Sequence, residues 1–233
     1  MPIAMSLAIA ALLSAPAHSS GPLEPAPPPV IVTVAVASTV SPSLVTRVLA
    51  EAGDIWRAAG FSLVWDRPFS EGAVSLTARV SSVGVAIPSR LRVVIDADRG
   101  AQTNDASLKT LGWIIFEAGS PLQEIYLSYA NAVSLFESSQ GVVVGRISTM
   151  TVAERELLIG RVMGRALAHE IGHYLLASKA HTPKGLMQAK RGAAELFAPP
   201  RKGFQLEAEQ RQIIAARLNT TPAVARVRQS DSR

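Results

Sequence analysis

The stretch from Thr151 to Tyr174 constrains this chain more than any other, because it reads as one long helix with a defined start and a chemically loaded end. Thr151, followed three residues later by Glu154, forms a capping box in which each side chain meets the other residue's free backbone N–H. From Leu158 the apolar stripe runs through Val162 and Ala166 to His169, Glu170 and His173. The last three form the pattern H-E-x-x-H. Residues four apart lie one above the other on a helix, so both imidazoles reach one point in space with Glu170 beside it. Because the buried face continues into these residues, that point is expected at the floor of a cleft. Gly160, Gly164, Ala168 and Gly172 recur at every fourth position on an adjacent face. Either a neighbouring element approaches closely beneath the site, or an Ala- and Gly-rich chain has produced the spacing by chance.

The chain has four histidines, and three of them, His169, His173 and His181, fall within thirteen residues. His18 is the fourth. Zinc suits such a set: it takes neutral imidazole nitrogens and, with three protein ligands, keeps a fourth position open. Two helical histidines leave that set incomplete. His181 is the remaining candidate for a single zinc per chain, and it is followed by the turn composition Thr182-Pro183-Lys184-Gly185 and the apolar pair Leu186-Met187. Cysteine is absent, which excludes thiolate ligands, a cysteine nucleophile and a disulfide scaffold. No G-x-S-x-G occurs either.

At 233 residues the chain suffices for one sizeable core. Its formal charge of +5 is spread rather than clustered, which favours acidic surfaces only weakly and gives no nucleic-acid footprint. Residues Met1 to Ala17 are almost uninterruptedly apolar and end in Ala15-Pro16-Ala17, the pattern of a cleaved signal peptide, although no Lys or Arg precedes the apolar run. An exported protein, periplasmic or extracellular and without stable membrane insertion after cleavage, is the expectation. Residues 18–29 form a Pro- and Ser-rich linker, 30–218 a single domain and 219–233 a flexible basic tail.

Within the domain, Val30 to Ala37 reads as a strand, and Ser41-Pro42 opens a helix whose apolar positions run from Leu44 to Ala59 before Gly60 closes it. Phe61 to Trp65 returns as a strand, implying a parallel crossover. Further strands are expected at Ala73 to Val80, Leu91 to Ile95, Gly112 to Phe116 and Glu124 to Tyr129. Asp96, Asp98 and Gly100 lack the remaining ligands of a calcium loop and read as a solvated strand end. Asn131 to Ser138 reads as a short helix, Arg191 to Lys202 as a loop, and Leu206 to Leu218 as a closing helix. The fold class is α+β: a mixed twisted sheet, an N-terminal packing helix, an active-site helix and a C-terminal helix.

A helix carrying H-E-x-x-H, a third His on a following turn, and Gly185-Leu186-Met187 beyond it together resemble the metzincin clan of zinc endopeptidases, within the wider zincins. The resemblance implies a zincin-like fold and an exported zinc endopeptidase. It assigns His169, His173 and His181 as ligands, Glu170 as general base, Met187 as the residue beneath the metal, and protein or peptide as substrate. It also makes Glu124 to Tyr129 the edge strand along which an extended peptide pairs. The spacing departs from the clan: His181 comes two residues late, Lys179 stands at the usual ligand position, and Leu176 replaces the usual Gly. Two alternatives remain open. One is a gluzincin-like enzyme with Glu195 as third ligand, or failing that Glu207 or Glu209. The other is a non-catalytic binding module, which would have no need of Glu170.

Overall fold

The computed structural model describes residues 27–66, 91–97 and 110–220. The expected leader, most of the linker, the strand at Ala73 to Val80, Asp98, Gly100 and the tail beyond Thr220 lie outside them. Among the described residues no helix is long and apolar enough to cross a membrane.

The β-branched run Val30–Val36 forms β1, with Val30, Val32 and Val34 buried and the intervening residues less so. Helix α1, Pro42–Ala58, begins as its sequence dictates: Ser41 Oγ accepts from the Leu44 N–H at 3.2 Å, and Pro42 occupies the first turn where its missing donor is harmless. Leu44, Val48, Leu49, Ala52, Ile55 and Trp56 line its buried face. Gly60, at φ 92°, turns the chain into β2, Leu63–Asp66. β2 pairs parallel with β1, as the crossover required.

β3, Leu91–Asp96, pairs parallel with the other side of β1. β4, Gly112–Glu117, and β5, Ser120–Ser128, form a hairpin through Ala118 and Gly119, whose φ values of 47° and 82° suit a tight two-residue turn. The result is a five-stranded mixed sheet in the order β2-β1-β3-β5-β4, parallel except for β4. This corrects one expectation. Of the residues Glu124 to Tyr129, all but Tyr129, which opens the next helix, lie in β5, which is interior, bonded to β3 from Arg92↔Glu124 to Asp96↔Ser128 and to β4 on its other side. The edge is β4. The short turn folds β4 back along the outer side of β5, while Ile125 and Leu127, both fully buried, show that β5 belongs to the core.

Helix α2, Tyr129–Ser138, follows β5 directly, with Ser128 Oγ accepting from the Asn131 N–H at 3.1 Å, so it starts two residues before its expected position. The long helix α3, Val152–Leu176, packs against α1, β4 and β5. The expected loop after Met187 contains a single-turn helix, α4, Ala193–Phe197. Helix α5, Ala208–Thr220, closes the domain, burying Ile214 and Leu218. From α5, the Arg217 guanidinium donates to the Leu175 carbonyl at 2.5 Å, satisfying one of the acceptors left free at the end of α3.

Candidate metal centre

Helix α3 starts on the full capping box: Thr151 Oγ1 accepts from the Glu154 N–H at 3.3 Å and the Glu154 carboxylate accepts from the Thr151 N–H at 2.7 Å. The small-residue stripe is used along its whole length. A Cβ at Gly160 would stand 2.7 Å from the Arg47 Cβ, and one at Gly164 would stand 2.6 Å from the Glu51 Cβ and 2.7 Å from the Val48 carbonyl oxygen. The Ala168 carbonyl accepts from the Trp56 indole at 3.3 Å. A Cβ at Gly172 would lie 2.3 Å from the Met187 sulfur. The first three positions therefore admit α1, and the fourth admits Met187 directly under the H-E-x-x-H turn. The buried face itself runs through Ile159, Val162, Met163, Leu167, Ile171 and Leu175, whereas Leu158 and Ala166 of the expected stripe are only partly buried.

The two helical imidazoles are oriented by main-chain carbonyls. His169 Nδ1 lies 2.9 Å from the Leu186 carbonyl, and His173 Nδ1 lies 2.7 Å from the Ser178 carbonyl. A carbonyl can only accept, so each ring carries its proton on Nδ1 and turns an Nε2 lone pair outward. Those two Nε2 atoms are 3.0 Å apart. With both rings neutral, neither has a proton to place between them, and two lone pairs that close repel. Protonating one ring would relieve this, but burial opposes it: the His169 pKa is pushed down to about 4 and that of His173 is lowered, in each case chiefly by burial. A cation shared by both nitrogens resolves the conflict.

His181 joins them from the following turn. Its ring stacks on His169 with centroids 5.3 Å apart and stands edge-on to His173 at 4.9 Å. One nitrogen from each of the three rings lies within 4.8 Å of the others, and no other His, Asp or Glu group among the described residues is so gathered. The longer turn works because Ala177 takes the left-handed conformation (φ 47°, ψ 44°), while the Ser178 N–H returns to the His173 carbonyl at 3.2 Å. Ala177 thus makes a left-handed turn without a glycine. Thr182 N–H bonds the Met187 carbonyl at 2.9 Å and Leu186 N–H bonds the Gln205 carbonyl at 2.8 Å, so the segment carrying the Leu186 acceptor and buried Met187 is fixed on both sides. Lys179 is exposed and lies over the Phe116 ring of β4, 5.2 Å from its centroid.

Glu170 is 8% exposed, and burial raises its pKa to about 8. Strand β4 passes close by: a Cβ at Gly112 would stand 3.2 Å from the Glu170 Cγ and 2.8 Å from a Leu127 methyl. The sequence marks Gly112 only as the start of a strand, and nothing local reveals that its missing side chain makes room for Glu170.

Glu195 does not join the three imidazoles: its side chain is 52% exposed and faces Arg191 at 3.9 Å. Glu207 and Glu209 do not join the three imidazoles either. What sequence reasoning missed is Arg165, one turn before His169 and 1% exposed. Its Nε donates to Glu51 at 3.0 Å, its Nη1 to the Glu195 and Leu196 carbonyls, and its Nη2 to the Pro200 carbonyl at 3.0 Å. Its guanidinium also lies 4.4 Å from the Phe204 ring, with Arg191 at 4.0 Å from the same ring. Arg191 in turn donates to the Gly185 and Gly203 carbonyls. Arg191 thereby ties the segment that supplies Leu186 and Met187 to Gly203, and Arg165 holds the chain from Glu195 to Pro200. A lone Arg in an amphipathic helix ordinarily extends its head to water, so the sequence offered no sign of this.

Compared with known proteins, the chain matches no family model and no curated protein sequence.

Proposed function

We propose that the chain is an exported, zinc-dependent endopeptidase with a zincin-like, metzincin-related fold, acting on proteins or peptides. One observation carries the reading: three imidazoles converge within 4.8 Å, the helical pair held by carbonyls so that both Nε2 lone pairs face one point, with a buried carboxylate on the same helix turn. His169, His173 and His181 would hold one zinc. The donor set, three neutral nitrogens with no thiolate, fits a catalytic rather than a closed structural site. Zinc, when bound, acts as a Lewis acid on a carbonyl oxygen and acidifies water at its open position.

The residues of the chain supply the rest. Glu170 accepts the proton of the attacking water and returns it to the leaving amine. Its buried setting makes it a stronger base than an exposed carboxylate, and a zinc held by the three imidazoles would favour its ionised form. The Leu186 and Ser178 carbonyls keep the His169 and His173 rings in one tautomer, and Met187 fills the space beneath them. Glu170→Ala tests this. It should leave zinc content and fold intact while peptide hydrolysis falls by about 10²-fold or more. Undiminished hydrolysis would remove Glu170 from the chemistry.

A further inference from the structure

We propose that a cavity between α1, α3 and the segment from Pro199 to Arg201 binds a small free oxyanion of the phosphate or sulfate class. Its volume is about 180 Å³, and it is lined by Arg47, Glu51, Leu157, Arg161, Pro199 and Arg201. That is below the roughly 300–1,000 Å³ of pockets that enclose larger organic ligands, and suits a single tetrahedral ion with some water. Arg161 stands eight residues before His169 on α3, about 12 Å along the helix, so this is not the metal centre.

The charges around the cavity do not balance. Both Glu51 oxygens are engaged, Oε1 by Arg165 at 3.0 Å and Oε2 by Arg201 at 2.8 and 3.0 Å. Asp54 is divided between Arg201 at 2.7 Å and Arg57. Among the described residues Arg47 and Arg161 form no ion pair within 4.0 Å. Arg161 gives one N–H to the Phe197 carbonyl at 2.6 Å, and the part-buried Glu156, which feels the charge of Arg47, has its oxygens engaged by the Ser41 and Ser43 hydroxyls. The Nε–H of Arg47 is buried and donates to nothing. A buried donor without an acceptor is uncommon and calls for a specific cause, an ion among them. Guanidinium forks match tetrahedral oxyanions in geometry as well as charge. The nearby Arg165 responds to the same excess: its pKa is lowered first by burial, and further by the positive charges of Arg161 and Arg201. An anion here would join α1, α3 and the segment that Arg165 also holds.

Inorganic phosphate added to the zinc-loaded full chain, against sodium chloride of equal ionic strength, tests the proposal. The expected result is saturable one-to-one binding by calorimetry and a Tm rise of roughly 3–6 °C once phosphate exceeds its Kd tenfold. Arg47→Gln keeps the aliphatic stem and loses no hydrogen bond from Nε, so it should fold normally yet weaken binding at least tenfold, as should Arg161→Gln. His181→Ala should leave phosphate binding unchanged. No saturable binding, or binding that survives both arginine variants, or binding lost in His181→Ala, would overturn the proposal. O-phosphoserine should bind at least tenfold more weakly than phosphate, and the reverse order would overturn the assignment to a free ion.

Discussion

Replacing Arg165 with Met removes a fully buried cation and keeps most of its apolar volume. Glu51 would lose its Oε1 partner and keep Arg201 on Oε2, while the buried Leu196 carbonyl would lose a donor; Glu195 and Pro200 are exposed, so water can reach their carbonyls. Breaking a buried ion pair from one side costs about 3–5 kcal/mol. Because Arg201 still compensates Glu51, the lower end applies, about 3 kcal/mol, or a Tm drop of roughly 6–12 °C for a domain of this size. Urea unfolding of the zinc-free protein measures it. Arg165→Met combined with Glu51→Met removes the uncompensated charge as well and should recover at least half of the loss. The single variant should also bind zinc about tenfold more weakly, since Phe204, Gln205 and the Leu186 acceptor are no longer held. A loss below about 1 kcal/mol, or a double variant no better than the single, would refute this account of the arginine as an organising charge.

Ala177→Gly should raise stability by about 0.5–1 kcal/mol, because relief of the left-handed strain exceeds the added freedom of the unfolded chain, and zinc should be retained; a loss of stability in thermal unfolding would contradict the turn described. The metal-free protein should be pH-sensitive. The raised Glu170 pKa makes the folded state retain a proton between the unfolded value of 4.5 and about 8, so stability falls with rising pH across that window. The depressed His169 pKa acts oppositely between about 4 and 6.5, where stability falls as pH falls. The two offset each other up to pH 6.5, leaving a net loss of about 2 kcal/mol between pH 6.5 and 8. Denaturant unfolding after chelation should show that loss in the parent chain and not in Glu170→Gln.

Much of the fold was legible because its local rules agree. Ser41-Pro42, the Thr151–Glu154 box and the apolar spacing of α1 each specify a helix from a few neighbouring residues, whereas the glycine stripe of α3 left a close approach and chance spacing both open until α1 and Met187 were seen against it. The triad was legible for the same reason: two of its members share a helical face and the third stands just before a recognisable turn composition. Strand order was not. That β5 is interior and β4 the edge depends on a long-range pairing with β3, to which no residue of the hairpin testifies. Arg165 and Gly112 escaped for a related reason. The meaning of each lies in a residue distant in sequence, Glu51 for one and Glu170 for the other. Ala177 escaped because alanine carries no preference for the left-handed turn it adopts there.

The central claim is that three imidazoles, with His181 as the third, hold one zinc. X-ray absorption at the zinc edge of the zinc-loaded full chain tests it most directly. The account predicts one zinc per chain, three imidazole nitrogens and one oxygen at roughly 2.0–2.1 Å, with one imidazole lost in His181→Ala and none in Glu195→Ala. A third protein ligand that is a carboxylate, or a spectrum that His181→Ala leaves unchanged, would contradict it.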